Sequence, residues 1–210
     1  MVISFLNQKG GVGKTTLAIN IAGTLAKKER RVLVIDADPQ GSALDWLGCR
    51  EENPIFTVVG MPNATIHKQI RDFRKDFDQI IIDAPGRLEV VMRSIIMASE
   101  VVAIPVQPSP YDVWAAKDVL ELIEEATVYN EKLKVVFVVN RKVVNTAIGR
   151  DVIAALSEYD VPVLNTAICQ RVIFAESVAS GKIVEEVDAN SLAAKEIRTL
   201  TKELMRLDNE

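Results

Sequence analysis

The stretch Gln8-Lys9-Gly10-Gly11-Val12-Gly13-Lys14-Thr15-Thr16 constrains this chain more than any other. It stands between the apolar run Val2–Asn7 and a segment, Thr15–Lys28, that carries Leu17, Ile21 and Leu25 on one helical face. A strand, a glycine-rich loop and a helix in that order are the setting of a phosphate loop. Glycine reaches backbone angles closed to other residues and lets amides approach an anion, so Gly10, Gly11, Val12 and Gly13 are expected to form the cradle. The helix start adds further amides and the positive end of its dipole. Lys14 is then expected to bond the β- and γ-phosphates, the Thr15 hydroxyl to hold Mg²⁺, and Thr16 to bond the α-phosphate. A bare glycine turn would need neither Lys14 nor Thr15.

Six short apolar runs punctuate the chain: Val2–Asn7, Val32–Asp36, Gln79–Asp83, Val101–Val106, Val135–Asn140 and Val161–Ile168. Most are continuous and rich in Val and Ile, the pattern of strands buried on both faces. Helix-length segments lie between them, including Tyr111–Tyr129 with Ala116, Leu120 and Ile123. Alternation of this kind predicts an α/β fold with three layers, a mainly parallel central sheet flanked by helices, in one P-loop domain over residues 1–210. Asn53-Pro54 and Met61-Pro62-Asn63 are expected loop breaks. Asp188–Glu210 reads as a terminal helix with Ile197, Leu200, Leu204 and Leu207 on its apolar face.

Ligands bind where parallel strands end. Asn7, Asp36, Asp38, Asp83, Gln107 and Asn140 all stand where an apolar run stops, which predicts one functional edge. Ile80-Ile81-Ile82-Asp83 is a Walker B pattern, in which an apolar strand aims one acid at the metal's hydration shell. Gly86, just beyond it, is placed to offer an amide to the γ-phosphate. Taken singly, each acid is explained by capping or turn formation; beside the glycine loop they point to phosphoryl transfer, which needs positioning and charge compensation rather than a protein nucleophile.

Composition excludes several classes. The net charge of −4 removes a global attraction to nucleic acid, so DNA contacts must come from a local basic patch. Lys195, Arg198, Lys202 and Arg206 make one stripe on the terminal helix, with Glu196 and Glu203 interleaved; Arg141, Lys142, Arg150, Arg171 and Lys182 are further candidates. No apolar run is long enough to span a bilayer and no leader pattern opens the chain, so a cytoplasmic location is expected. The two cysteines, Cys49 and Cys169, have no metal spacing and are expected as reduced, roughly half-buried thiols. His67, the sole histidine, is expected to pack or face solvent.

The loop departs from the standard phosphate-loop pattern. Gln8 stands where a glycine is usual, and Lys9 is extra. The resulting K-G-G-x-G-K-T-T resembles the deviant Walker A motif of the ParA/MinD superfamily. D-A-D-P-Q-G-S, I-P-V-Q-P-S and the late R-x-x-F-x-E-S-x-x-x-G segment, Arg171–Gly181, resemble its DNA-partition branch and its small, ParF-like plasmid members. The resemblance implies that Lys9 reaches across an ATP-sandwich homodimer to the partner's phosphates. It implies that Asp38 positions the attacking water and that Asp36 lies near Mg²⁺. It places Asn140, with Arg141 beside it, and the Pro105–Pro110 turn, with Pro108, at the adenine.

It further implies an ATPase cycle. ATP drives dimerisation, the dimer binds DNA without sequence preference or assembles further, and a centromere-binding, ParB-type partner stimulates hydrolysis. A nucleoid-associated ATP form and plasmid or chromosome segregation follow. With no helix-turn-helix pattern read ahead of the first strand run, operator binding by the chain itself is not expected. Other readings stay open: a MinD-like ATPase cycling on membranes, for which the tail Leu204–Glu210 lacks Phe or Trp and ends acidic; an iron–sulfur electron carrier, whose cysteine positions Cys49 and Cys169 do not match; and a nucleotide-gated scaffold that hydrolyses little.

Overall fold

The computed structural model describes residues 1–127, 130, 132–144, 146 and 148–209. The predicted helix end at Tyr129 and the chain end at Glu210 lie outside the described residues.

Six parallel strands form one sheet: β1 (Val2–Phe5), β2 (Val32–Asp36), β3 (Thr57–Gly60), β4 (Gln79–Asp83), β5 (Val101–Val106) and β6 (Lys134–Val139), in the order β3-β2-β4-β1-β5-β6. Side chains alternate across a strand, so a sheet covered on both faces needs apolar residues at every position. Ile80 and Ile82 accordingly join a core on one face while Ile81 joins the core on the other. The first face is covered by α3 (Ile66–Asp76), α4 (Glu89–Ala98), α5 (Pro110–Thr127) and α6 (Ile148–Leu156). The second is covered by α1 (Lys14–Ala26), α2 (Ser42–Gly48), α7 (Val172–Ala179), α8 (Val184–Val187) and α9 (Leu192–Arg206). The three layers are those the sequence predicts.

Two differences from the predicted strands have local causes. β3 is an edge strand with half-exposed or exposed residues, so its four positions never form an apolar run. The run Val161–Ile168 is not a strand. It lies along β6 and makes one isolated bridge there, Val163 with Phe137; a second, Cys169 with Lys142, follows just beyond the run. Between them the Asn165 and Thr166 amides turn away and donate to the Glu203 carboxylate on α9, at 2.9 and 3.3 Å. Capture of two successive amides by a charged acceptor breaks the ladder that the apolar pattern alone would continue.

The sheet's register sets the site. Asp36 of β2 pairs with Asp83 of β4, and Asp83 pairs with Phe5 of β1, so three strand ends come level. The loop after β1 therefore leaves the sheet beside two buried carboxylates.

Candidate functional site

The loop between β1 and α1 closes over this edge. Gly11 and Gly13 adopt positive φ values of 76° and 93°, which side-chain-bearing residues rarely reach; Gly10 does not. Gly13 is the N-cap of α1 and offers no side chain, so the amides of the first turn stay open to an anion. A Cβ on Gly13 would also meet Asn140 Nδ2 at 2.3 Å. Lys14 is buried in the loop, its Nζ 3.4 Å from the Lys9 carbonyl. Burial holds its pKa below the ordinary lysine value, while Asp83 and Asp38 pull it back up. Thr15 and Thr16 are half-buried, and with Gln8, Gly10, Gly11, Gly13, Lys14, Asp38 and Gly86 they line a cavity of about 750 Å³.

The three acids stand in distinct surroundings. Asp83 is 1 % exposed and neither carboxylate oxygen has a hydrogen-bond partner. Burial pushes its pKa up to about 7; the Thr15 hydroxyl nearby and the Lys14 ammonium pull it down, and the negative charge of Asp36 adds to the rise. A buried carboxylate without a partner is unfavourable unless a cation joins it. A divalent metal held by one carboxylate, one hydroxyl and a ligand's phosphates fits this donor set. No cluster of three His, Cys, Asp or Glu side chains exists among the described residues, so bound phosphate must complete such a site. Asp36, also buried, is already occupied: its oxygens accept from the Asp38, Ala43 and Leu44 amides at 3.2, 2.9 and 3.1 Å. Two of those amides open α2, whose N-cap Gly41 has no side chain to cap it. Asp36 thus anchors the loop that carries Asp38. Asp38 is half-buried on the cavity wall and accepts from the Gln40 amide at 2.9 Å.

Gly86 presses against the loop: a Cβ there would lie 3.2 Å from the Gln8 carbonyl and 3.9 Å from Lys14 Nζ.

Lys9 does not line the cavity. Its Nζ sits 2.5 Å from Asp112 Oδ2 in the first turn of α5; Lys9 is 38 % exposed and Asp112 only 2 %. The turn before α5 is tied to the same loop by Gln107 Nε2, which donates to the Gly11 carbonyl at 3.0 Å. Pro108 lines neither described cavity and belongs to this Lys9 side of the loop. The opposite side holds a second cavity of about 1070 Å³, lined by Gly13, Asn140, Arg141, Val143, Phe174 and neighbouring residues. There Asn140 is buried and donates its amide to the Val12 carbonyl at 2.7 Å, bracing the loop, while Arg141 is exposed with a φ of 53°. Asp112 and Arg87, which also lines the first cavity, are absent from the sequence-based candidates. Gln107 is legible only as a strand end.

On α9, Lys195, Lys202 and Arg206 are exposed, and Arg198 is half-buried against Glu185 and the Ala189 carbonyl. The interleaved acids turn inward: Glu196 pairs with Arg171 at 2.7 Å and Glu203 holds the Asn165 and Thr166 amides. Lys182 pairs with Glu52, and the side chain of Arg150 lies outside the described residues. No described helix is long and apolar enough to cross a membrane. Cys169 is half-buried as expected, whereas Cys49 is exposed; both are free. His67 packs its ring against the Ser94 hydroxyl at 2.8 Å.

Residues 3–184 match the CobQ/CobB/MinD/ParA nucleotide-binding domain. The chain is 31% identical over 207 residues to the maintenance of carboxysome distribution protein A of Halothiobacillus neapolitanus, covering 97% of this chain and 95% of that protein. It is 30% identical over 238 residues to the chromosome-partitioning ATPase Soj of Thermus thermophilus, covering 97% and 94%. Its fold superposes on the septum site-determining protein MinD of Pyrococcus horikoshii in complex with Mg-ADP, with a TM-score of 0.80 at 20% identity over 99% and 97% of the two chains.

Proposed function

The chain belongs to the CobQ/CobB/MinD/ParA nucleotide-binding family and is a P-loop ATPase of that family, and from that premise we propose that ATP and Mg²⁺ assemble it into a homodimer that binds DNA without sequence preference and drives plasmid or chromosome segregation. A centromere-binding, ParB-type adaptor then stimulates hydrolysis and releases the dimer. The carrying observation is the position of Lys9, outside its own phosphate cavity and half exposed at its rim. A cation so placed, once withdrawn from its ion pair with Asp112, can reach a second subunit's phosphates, where it offsets charge enclosed between two protomers.

In this reading Lys14 and the loop amides grip the triphosphate, and Asp83 with Thr15 holds the cation. A bound Mg²⁺ supplies charge compensation for the β- and γ-phosphates. Asp38, on the wall above Lys14, orients the water that attacks the γ-phosphorus. Asp36 holds Asp38's loop in place through the α2 amides. The base occupies the second cavity, beside Asn140 and Arg141.

The inward turn of Glu196 and Glu203 leaves Lys195, Lys202 and Arg206 as an outward basic row, too short for strong binding alone. Two such rows in a dimer act together through effective concentration. The apolar face of α9 is already buried through Ile197, Leu200 and Leu204, which argues against its use as a membrane anchor. The cargo admits a second reading. The relative named for carboxysome distribution matches as well as the one named for chromosome partitioning, which supports a protein assembly as an alternative load.

The test is DNA retention by the full chain with and without Mg-ATP across a salt series. Binding is expected only with ATP; if about six phosphates are neutralised, log affinity falls against log salt with a slope near −5. A flat salt dependence, or equal binding without nucleotide, contradicts the proposal.

A further inference from the structure

Four cations stand around the phosphate cavity, and three have an assignment. Lys14 is buried in its floor, Lys9 is committed to Asp112, and Arg141 stands where the two cavities meet. Arg87 is different. It lines the same cavity as Lys14, Thr15 and Asp38, it is exposed, and among the described residues its side chain makes no hydrogen bond or ion pair. An arginine on a solvated loop is ordinary; one held at the mouth of an anion site with its guanidinium uncommitted is not, because five fixed donors are matched to phosphate oxygens.

The backbone fixes its reach. Asp83 ends β4, and the chain passes through Pro85, whose ring locks φ, to Gly86. Gly86 lies beside the loop, so that a Cβ there would be 3.9 Å from Lys14 Nζ. One peptide step of about 3.8 Å then puts the Arg87 Cα within about 9 Å of that ammonium, and an arginine side chain extends roughly 7 Å to its guanidinium on standard bond lengths. A phosphate oxygen bonded by Lys14 is therefore within range of Arg87 in the same subunit. Arg141 is likewise unpaired among the described residues, but it stands at the junction with the second cavity, whereas Arg87 lines the phosphate cavity alone.

We propose that Arg87 is a catalytic residue that bonds the γ-phosphate of the ATP held by its own subunit. This rests on the ATPase reading above. In the step it serves, a water oxygen forms a bond to the γ-phosphorus and the bond from that phosphorus to the β–γ bridging oxygen breaks. The bonding pair leaves with ADP, and the water's proton is carried off by the inorganic phosphate or solvent. Negative charge spreads over the γ-oxygens and the bridging oxygen as this happens, and the guanidinium compensates it. ADP has no γ-phosphate, so Arg87 contributes to binding ATP and not ADP.

The experiment compares wild type, Arg87→Ala and Arg87→Lys, all as the full chain. Titration calorimetry with ADP and with a non-hydrolysable ATP analogue is set beside steady-state turnover at saturating ATP. Loss of a charge-assisted bond in Arg87→Ala is expected to weaken the analogue about tenfold while ADP affinity stays within about twofold. Turnover is expected to fall by at least about tenfold, and Arg87→Lys to recover only part of it, because an ammonium lacks the planar fork. Melting temperatures should coincide within about 2 °C, since the exposed side chain makes no hydrogen bond or ion pair among the described residues. Turnover within about twofold of wild type, or parallel losses of ADP and analogue affinity, overturns the proposal. A wild-type chain that binds neither nucleotide overturns the ATPase reading itself, and a wild type that binds both while Arg87→Ala matches it overturns Arg87 alone.

Discussion

Lys14 and Lys9 lie on one loop, with Lys14 Nζ 3.4 Å from the Lys9 carbonyl, yet they face different surroundings. Lys14 belongs to a floor whose parts are fixed by the sheet. Asp36, Asp83 and Phe5 come level by strand register, the loop drapes over them, and Asn140 and Gln107 pin its carbonyls from either side. Lys9 belongs to a rim that nothing comparable fixes: Lys9, Arg87 and Arg141 are exposed or half-exposed, and a single contact to Asp112 sets the first of them. A floor of this kind can select phosphate in one subunit. A rim of this kind is finished only by what is placed on it, ligand or second subunit. On the proposed function, binding is built at the floor and turnover and assembly at the rim, so substitutions should separate them.

The largest effect should come from the wall between the two. Asp38→Ala removes the group assigned to the water and leaves the cradle intact, so turnover should drop by about 10²–10⁴-fold while ATP binding persists and the nucleotide-bound assembly accumulates. Normal hydrolysis by this variant in a phosphate-release assay would remove Asp38 from the mechanism. Next is the floor. Lys14→Ala deletes a charge-assisted bond to phosphate worth about 1.5–3 kcal/mol, roughly a tenfold to hundredfold loss of ATP affinity by calorimetry. Unchanged affinity would mean the phosphates lie elsewhere.

A smaller effect is expected where the rim is held. Withdrawing Lys9 leaves Asp112 buried, with Oδ1 already lacking a partner, which opposes the movement by about 1–3 kcal/mol. Asp112→Asn removes the buried charge, so ATP-dependent association should begin at roughly tenfold lower protein concentration in light scattering. A shift the other way would show that Asp112 serves the assembled state instead.

The smallest effect concerns the floor without its metal. The folded chain holds the Asp83 proton up to about pH 7, whereas an unfolded aspartate releases it near 4. The folded form binds the proton more tightly, so this contribution to stability is complete below about pH 4 and is lost as pH rises through 7. Asp83→Asn should flatten that decline and raise the nucleotide-free melting temperature at pH 8 by at least about 2 °C. An unaltered pH profile would mean the carboxylate is already compensated.

The floor was legible in sequence because its signals are local: glycines at the positions that reach positive φ, a helix opening on Lys14, and an apolar run ending on Asp83. The layers were legible for the same reason. What escaped depends on distant partners. Lys9 and Asp112 are 103 residues apart, and no spacing rule joins them. Asp36 is legible as an acid at a strand end, but its three amide donors are not. Asn140 is legible as a strand end, but the bond from its amide to the Val12 carbonyl, 128 residues away, is not. Val161–Ile168 reads as a strand because apolar pattern carries no information about Glu203 across the layer. β3 was silent because an exposed edge needs no apolar run.

The claim that the rim is completed by a second subunit is tested most directly by sedimentation velocity of the full chain with Mg-ATP, Mg-ADP and no nucleotide, for wild type and Lys9→Ala. The account predicts a dimer for wild type with Mg-ATP alone, and a monomer for Lys9→Ala that still binds ATP. A Lys9→Ala variant that dimerises on ATP as wild type does, or a wild type whose mass ignores nucleotide, contradicts it.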